Sequence, residues 1–498
     1  MIAAAIPAAS DATPARAVLR WAPALLIAFA AVWRQATTFL DCDVSWLLTV
    51  CDHLLDGQRL YVDIIETNPP ASVWLYLPGA ALARAIGATP ELVTAIWVFA
   101  LGAGVIAFGA SMFRRREASR ASDLRTMPFA VALAAFCFLL LPGYSFAQRE
   151  HVAALLLLPW LAMFAARMED RDTGRLAPTL AGIGAGIAMA VKPHFVLAVA
   201  PPLIFAAWRR RSIRALFGVE AWIAAGVVIA YGAAAALAYP RFFTEMVPIL
   251  RVAYLPSRIG WGTLLLHPCF LLTVACWVMT LAVAPRRATT TPLALPLLAS
   301  AGFTLAALVQ AKGYANHFYP GLALGLFTLG IALAGMAPKP GVRIAALLGI
   351  GLASLSWLAF RPVPDVTPLA ALIEAKVPAH PRLAMIGGDL SVGHPVTRWV
   401  HGVWVQRQHN LWISANAPGI LRSGRPDSRD RAALAAAVAM DERMLVEDIA
   451  HGRPDAVLVQ GRDWMGWIAT HPAVARALAG YRQAGSANGT IILARPNS

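Results

Sequence analysis

The sequence predicts a multi-spanning α-helical membrane protein with a small α/β domain at its C-terminal end, and three observations carry that prediction. The chain has 498 residues, 58% hydrophobic and 14% charged, with a mean hydropathy of +0.61; this is more apolar surface than one water-soluble core can bury. Apolar windows of the length a helix needs to cross a bilayer, about 20 residues, recur from residue 18 to residue 360 and then stop. The basic residues behind the net charge of +15 sit at alternate ends of those windows, not in one tail or on one helix, which reads as topology and argues against a nucleic-acid partner.

Residues 1–17 are expected in the cytoplasm, because Arg16 and Arg20 flank the start of a first helix over 18–39. The stretch 1–15 lacks a basic region followed by a cleavage site, so no removable signal peptide is expected and the first helix itself directs insertion. Residues 40–90 differ from their surroundings: Asp41, Asp43, Asp52, Asp56, Asp63 and Glu66 stand among Trp46, Tyr61, Trp74 and Tyr76, with Pro69, Pro70 and Pro78. That composition predicts a large acidic, aromatic external loop with helices lying along the interface. The apolar run 73–86 is short and broken by Pro78 and Gly79; a span there would also carry Arg114, Arg115 and Arg116 outside, so it is kept on the external surface.

Further spans are expected near 92–113, 127–141, 151–166, 179–191, 195–208, 221–239, 263–284, 293–310, 321–336 and 344–360, about eleven crossings in all. In this register Arg171, Arg175, Arg209, Arg286, Arg287, Lys339 and Arg343 fall on the cytoplasmic side with Arg114. The transmembrane domain then covers 18–360, and an odd number of crossings sends 361–498 outside. There the pattern changes to short β runs at 383–386, 456–459 and 490–494, alternating with helical patterns at 431–440 and 472–481, as in a small α/β module. None of the five cysteines forms a metal-binding spacing. Cys42 and Cys51 would stand about 13 Å apart on one helix, too far for a disulfide, and are expected as free thiols. No repeat of fixed period is present, so a simple inverted-repeat transporter gains no support.

The functional signal lies in the acidic loop. Carboxylates held just outside a membrane, beside Pro-fixed turns and aromatic rings, suit a site for polar groups presented by a lipid; Asp43 and Glu66 are the candidates there, whereas Asp52 and Asp56 read as solvated loop acids. Cations are expected on the same face. Arg149, Glu150 and His151, in the motif Gln148-Arg-Glu-His, stand at the start of a helix; Lys192 and His194 flank Pro193 at the top of a helical hairpin, Lys192 about 21 Å along a helix that began on the cytoplasmic side. The stretch 312–320, Lys-Gly-Tyr-Ala-Asn-His-Phe-Tyr-Pro, contributes Lys312, His317 and Tyr319, and Arg251 and Arg258 could complete a ring. Against this, basic side chains at helix ends commonly do no more than snorkel to lipid phosphates.

The loop resembles that of the GT-C membrane glycosyltransferases, in particular the group containing dolichyl-phosphate-mannose protein mannosyltransferases and bacterial lipid A aminoarabinose transferases. Those enzymes open their first external loop with an acidic residue, followed by an apolar helix ending in Gly and an acidic residue shortly before Pro-Pro. Here Asp43 begins such a helix, Gly57 ends it, and Glu66 precedes Pro69 and Pro70 with two residues between, where some members have one. The resemblance implies a GT-C-like fold in the cytoplasmic (inner) membrane and an inverting sugar transfer from a polyprenyl phosphate to an acceptor hydroxyl of a lipid, glycan or protein. It makes Asp43 the catalytic base, Glu66 a second catalytic candidate, and Asp41, Arg149, Glu150, Lys192, His194, Lys312, His317 and Tyr319 the substrate-binding candidates. Asp41-Cys-Asp43 is a spacing that can hold a divalent ion, but no metal or cofactor is expected. The rival readings are a transporter or flippase for a lipid-linked or polar substrate, which predicts charges near the midplane, and a non-catalytic envelope scaffold, which leaves Asp43 dispensable.

Overall fold

A computed structural model of the chain describes residues 14–114, 121–334, 351 and 364–496. The body is a bundle of helices over Pro14–Ala36, Pro90–Arg114, Ala121–Ala135, Arg149–Met168, Leu176–Val191, Val196–Arg209, Val219–Ala238, Pro268–Val283, Ala294–Gln310 and Ala315–Ala334. Among the described residues, Pro90–Phe113, Arg149–Met168, Val219–Ala238 and Ala315–Ala334 are long and apolar enough to cross a membrane, and several shorter apolar helices accompany them. Ile229 and Leu237 on Val219–Ala238 stand 71% and 85% exposed, an apolar outer face suited to lipid. The span expected over 344–360 lies outside the described residues.

Two expected boundaries move. The segment expected over 263–284 is interrupted: Trp261–Leu265 stops, and Pro268–Val283 starts afresh with His267 as N-cap, its ring accepting from Cys269 N at 3.2 Å. Proline at the first helical position explains the break, since it has no N–H to continue the preceding turn. The helix expected from residue 321 begins at Ala315, with Pro320 inside it, so His317 and Tyr319 are helical residues, not loop residues.

The basic clusters gather at one end of the bundle. Arg171 Nη1 donates to Phe113 O at 2.9 Å, Arg210 Nη2 to Arg167 O at 3.2 Å, and Arg171 and Arg287 line a common cavity of about 650 Å³. The helices between are held by small residues. A Cβ on Gly182 would stand 2.6 Å from the Glu220 carbonyl, and one on Gly186 2.6 Å from Val227 Cβ, a small-xxx-small stripe that lets Leu176–Val191 and Val219–Ala238 approach closely. Gly186→Leu is therefore expected to lower stability by at least about 1–3 kcal/mol, read as a fall in the melting temperature of the purified protein; an unchanged melting temperature would show that the two helices are not tightly packed there.

The helix Ala121–Ala135 runs into a π turn at Phe136–Leu140. Such a turn disturbs the regular carbonyl ladder, and here two carbonyls find side-chain donors: Tyr319 Oη donates to Cys137 O at 2.9 Å and the His151 Nε2 lies 2.8 Å from Phe138 O. His151 also accepts from Ala147 N at 3.0 Å through Nδ1. These bonds set the path of the chain just before Arg149.

The C-terminal part is an α/β module, as expected. Its sheet comprises β1 (Arg382–Ile386), β2 (Val403–Trp404), β3 (Ala456–Gln460), β4 (Arg482–Ala487) and β5 (Thr490–Ala494), in the order β2-β1-β3-β5-β4. β1 runs parallel to β2 and β3, while β5 is antiparallel to β3 and β4. The β4–β5 turn places Asn488 and Gly489 at φ 51° and 74°, the left-handed pair that a tight hairpin requires. The helical pattern expected over 431–440 extends over Ser428–Gly452, capped by Asp427, whose carboxylate accepts from Asp430 N at 2.8 Å.

Candidate active site

The acidic loop folds as Cys42–Leu55, Ala71–Trp74 and Leu77–Ile86. Asp41 is the N-cap of the first helix, its carboxylate accepting from Asp43 N at 2.9 Å, which satisfies a free helix-start donor. Gly57, at φ 89°, takes the chain away beyond the far end. The helix does not lie along an interface: Val44 to Cys51 are buried without interruption, so it is covered on every side, by the bundle on one flank and the C-terminal module on the other.

Several charged and polar ties join that module to the rest of the chain. Arg398 lies between Asp52, at 2.6 Å, and Glu91; Ile65 N donates to Arg407 O at 2.6 Å; Ser257 Oγ donates to Asn416 Oδ1 at 3.1 Å. Asp52 is thus an interdomain anchor, not a solvated acid, and Asp56 pairs with Arg84 at 2.9 Å. None of the five cysteines is joined in a disulfide.

At the junction the structure brings together Asp43, Arg149, Glu150, Lys192, His194 and His317. Asp43 keeps a 36% exposed side chain and stands 3.9 Å from the nearly buried guanidinium of Arg149. Glu150 is fully buried and pairs with Lys192; His317 Nε2 lies 3.3 Å from the same carboxylate oxygen and 3.4 Å from the Lys192 ammonium. Gln148 accepts from Asn316. Around this centre, Gln148 Nε2, Arg149 Nη1, Glu150 Oε2, His194 Nε2 and His317 Nδ1 are buried with no partner among the described residues. Buried polar groups are normally satisfied, so a cluster of such atoms beside one exposed carboxylate marks a place built for a polar ligand. Lys192 does not snorkel: it is held inward by Glu150.

The remaining candidates sit elsewhere or are already engaged. Glu66 is buried, receiving Trp46 Nε1 on one oxygen and Asn68 N, at 2.7 Å, on the other; it fastens the loop to the helix Cys42–Leu55. Lys312 donates to the Tyr254 carbonyl and, at 2.6 Å, to that of Ser257, with its ammonium 3.7 Å over the Tyr254 ring. Burial, then the nearby Arg258, pushes the Lys312 amine down to about 8. Arg258 donates to Val309 O and Arg251 is exposed. Tyr319 and His151 brace the π turn. Sequence reasoning missed Gln148 and Asn316 as site residues, and every contribution from the C-terminal module; Gln148 and Asn316 both stand in the stretches singled out for their charge, but only their meeting across 168 positions joins them. Among the described residues no group of three or more His, Cys, Asp or Glu side chains is gathered to hold a metal ion.

The fold is similar to solved structures of ArnT from Cupriavidus metallidurans. One, bound to undecaprenyl phosphate, superposes with a TM-score of 0.55 at 14% identity over 98% of this chain and 99% of that one; the apo state gives 0.57 at 14% identity over 96% and 97%. At that identity the likeness is one of fold. No protein-family model and no curated protein sequence matches the chain.

Proposed function

We propose that the chain is a membrane glycosyltransferase that moves a sugar from a polyprenyl-phosphate donor to an acceptor hydroxyl, with Asp43 as general base. The acceptor oxygen forms a bond to the anomeric carbon as the bond from that carbon to the phosphate oxygen breaks. The hydroxyl proton passes to Asp43, the bonding pair leaves with the polyprenyl phosphate, and the configuration inverts. What supports this reading above all is the cluster of buried, unpartnered polar atoms around Arg149 and His194, next to the partly exposed Asp43 carboxylate. The amide Nε2 of Gln148 and Nη1 of Arg149 are donors held ready for the charge that grows on a departing phosphate, and Arg149 and Lys192 supply positive charge there.

The donor's prenyl tail would lie in the bilayer beside the bundle and its phosphate at this end. The site end would face the extracytoplasmic side of the inner membrane, with residues 1–17 in the cytoplasm, the transmembrane domain over 18–360 and the module of 361–498 outside. The neighbouring ArnT structure holds undecaprenyl phosphate, the donor's leaving half in this scheme. Mass spectrometry of envelope glycolipids and glycans, with and without the gene, is expected to show one sugar missing from one component. An unchanged glycan inventory, together with no consumption of undecaprenyl-phosphate sugars by the purified protein, would overturn the reading.

A further inference from the structure

The segment that follows β2 is fastened residue by residue to its own module. Gln406 bonds both backbone groups of Met385, at 2.8 and 2.9 Å, extending the sheet edge with a side chain. Arg407 N and Nε donate to Asp448 at 2.9 and 2.7 Å, Gln408 donates to Asp441, and Asn410 donates to Gly388 O at 2.7 Å. His409 alone in this run has no such bond. Its Nδ1 is buried without a partner among the described residues, yet the residue is partly exposed. Its ring lies 5.5 Å from that of Trp46, whose indole holds Glu66. After burial, the influences on the imidazole are the charges of Glu66, Asp43 and Arg149. A loop held this stiffly that offers a single unbonded, partly exposed side chain against Trp46, on the helix that Asp43 opens, has the form of a preorganised contact to substrate.

We propose that His409 is an acceptor-binding residue, contributed by the C-terminal module, that hydrogen-bonds the hydroxyl-bearing group as it approaches Asp43. This rests on the transferase reading. The acceptor is assigned to His409 because the donor's tail confines its phosphate to the membrane half, where Arg149, Gln148 and His194 present their free polar atoms. An inverting displacement needs the nucleophile opposite that phosphate, on the side the module covers. His394 also packs on Trp46, with ring centroids 5.3 Å apart, and both its ring nitrogens lack a partner among the described residues; what separates it from His409 is that it is wholly buried against Trp404, with no exposed surface to offer an acceptor.

The test uses the purified full-length protein, a panel of undecaprenyl-phosphate sugars as donors, and an envelope extract from a strain lacking the gene as the source of acceptor. His409→Ala is expected to lower transfer at limiting extract by about tenfold or more, because a site built to bond a hydroxyl loses its partner, while the donor KM stays within about twofold and the melting temperature is unchanged. His409→Gln, which keeps a hydrogen-bonding group, recovers part of the loss. Wild-type dependence on extract in His409→Ala overturns the proposal, as does an equal loss toward donor and acceptor accompanied by a lower melting temperature, which is the mark of a structural role. The wild type is assayed alongside: no consumption of any undecaprenyl-phosphate sugar would remove the transferase reading itself, whereas wild-type transfer beside an unaffected His409→Ala removes only the role of His409.

Discussion

Asp43→Asn is expected to lower sugar transfer by about 10²–10⁴-fold, the range over which a positioned general base contributes, in a protein that folds as before. Asn keeps the size of the side chain and the backbone N–H that Asp41 caps, the carboxylate is itself 36% exposed, and the nearly buried Arg149 guanidinium keeps Glu150 as a nearby anion. The substitution removes the 3.9 Å pairing with Arg149, which is too long for a direct hydrogen bond and contributes less to stability than the close Glu150–Lys192 pair. Rate and fold should therefore separate: initial rates with an undecaprenyl-phosphate sugar collapse, while the melting temperature and the donor KM hold. A variant that transfers sugar at the wild-type rate would show that Asp43 is not the base, while leaving the transfer itself standing. One that loses activity because it unfolds would show that the Asp43 carboxylate supports the fold and not only the reaction.

Local patterns were legible in the sequence; distant pairings were not. Hydropathy located most of the described bundle helices because each must bury or lipid-expose its own side chains, and the loop helix was legible from an acid at its start, Asp43, and a terminal glycine, Gly57, although the residue that caps it is Asp41. β3 and β5 were visible as β-branched runs, whereas β4, Arg-Gln-Ala-Gly-Ser-Ala, contains no β-branched or aromatic residue and is a strand only because β5 pairs with it. The helix start at Ala315 was misplaced because Pro320 resembles a boundary, yet the helix runs through it. Asp52 gave no sign of its role, since its partner Arg398 is 346 positions away. The same distance hid His409: nothing in a stretch of Gln, Arg, His and Asn shows that its neighbours are tied down and it alone is not.

The largest effect on stability is expected at Glu150. Its carboxylate is fully buried between Lys192 and His317, and Glu150→Ala removes the anion while leaving the ammonium of Lys192 enclosed with the Arg149 guanidinium nearby. Removing one partner of a buried pair costs about 3–5 kcal/mol, because the stranded charge cannot recover its hydration. The unfolding temperature of Glu150→Ala should fall steeply. A double variant, Glu150→Leu with Lys192→Met, separates architecture from chemistry: replacing both charges with apolar groups of similar volume removes the stranded ion and should restore most of the stability, yet sugar transfer should stay lost, because the phosphate would meet one cation fewer. If Glu150→Ala melts with the wild type, the pair is solvated in solution and Lys192 is free to reach lipid headgroups; if the double variant regains activity along with stability, Lys192 takes no part in holding the donor.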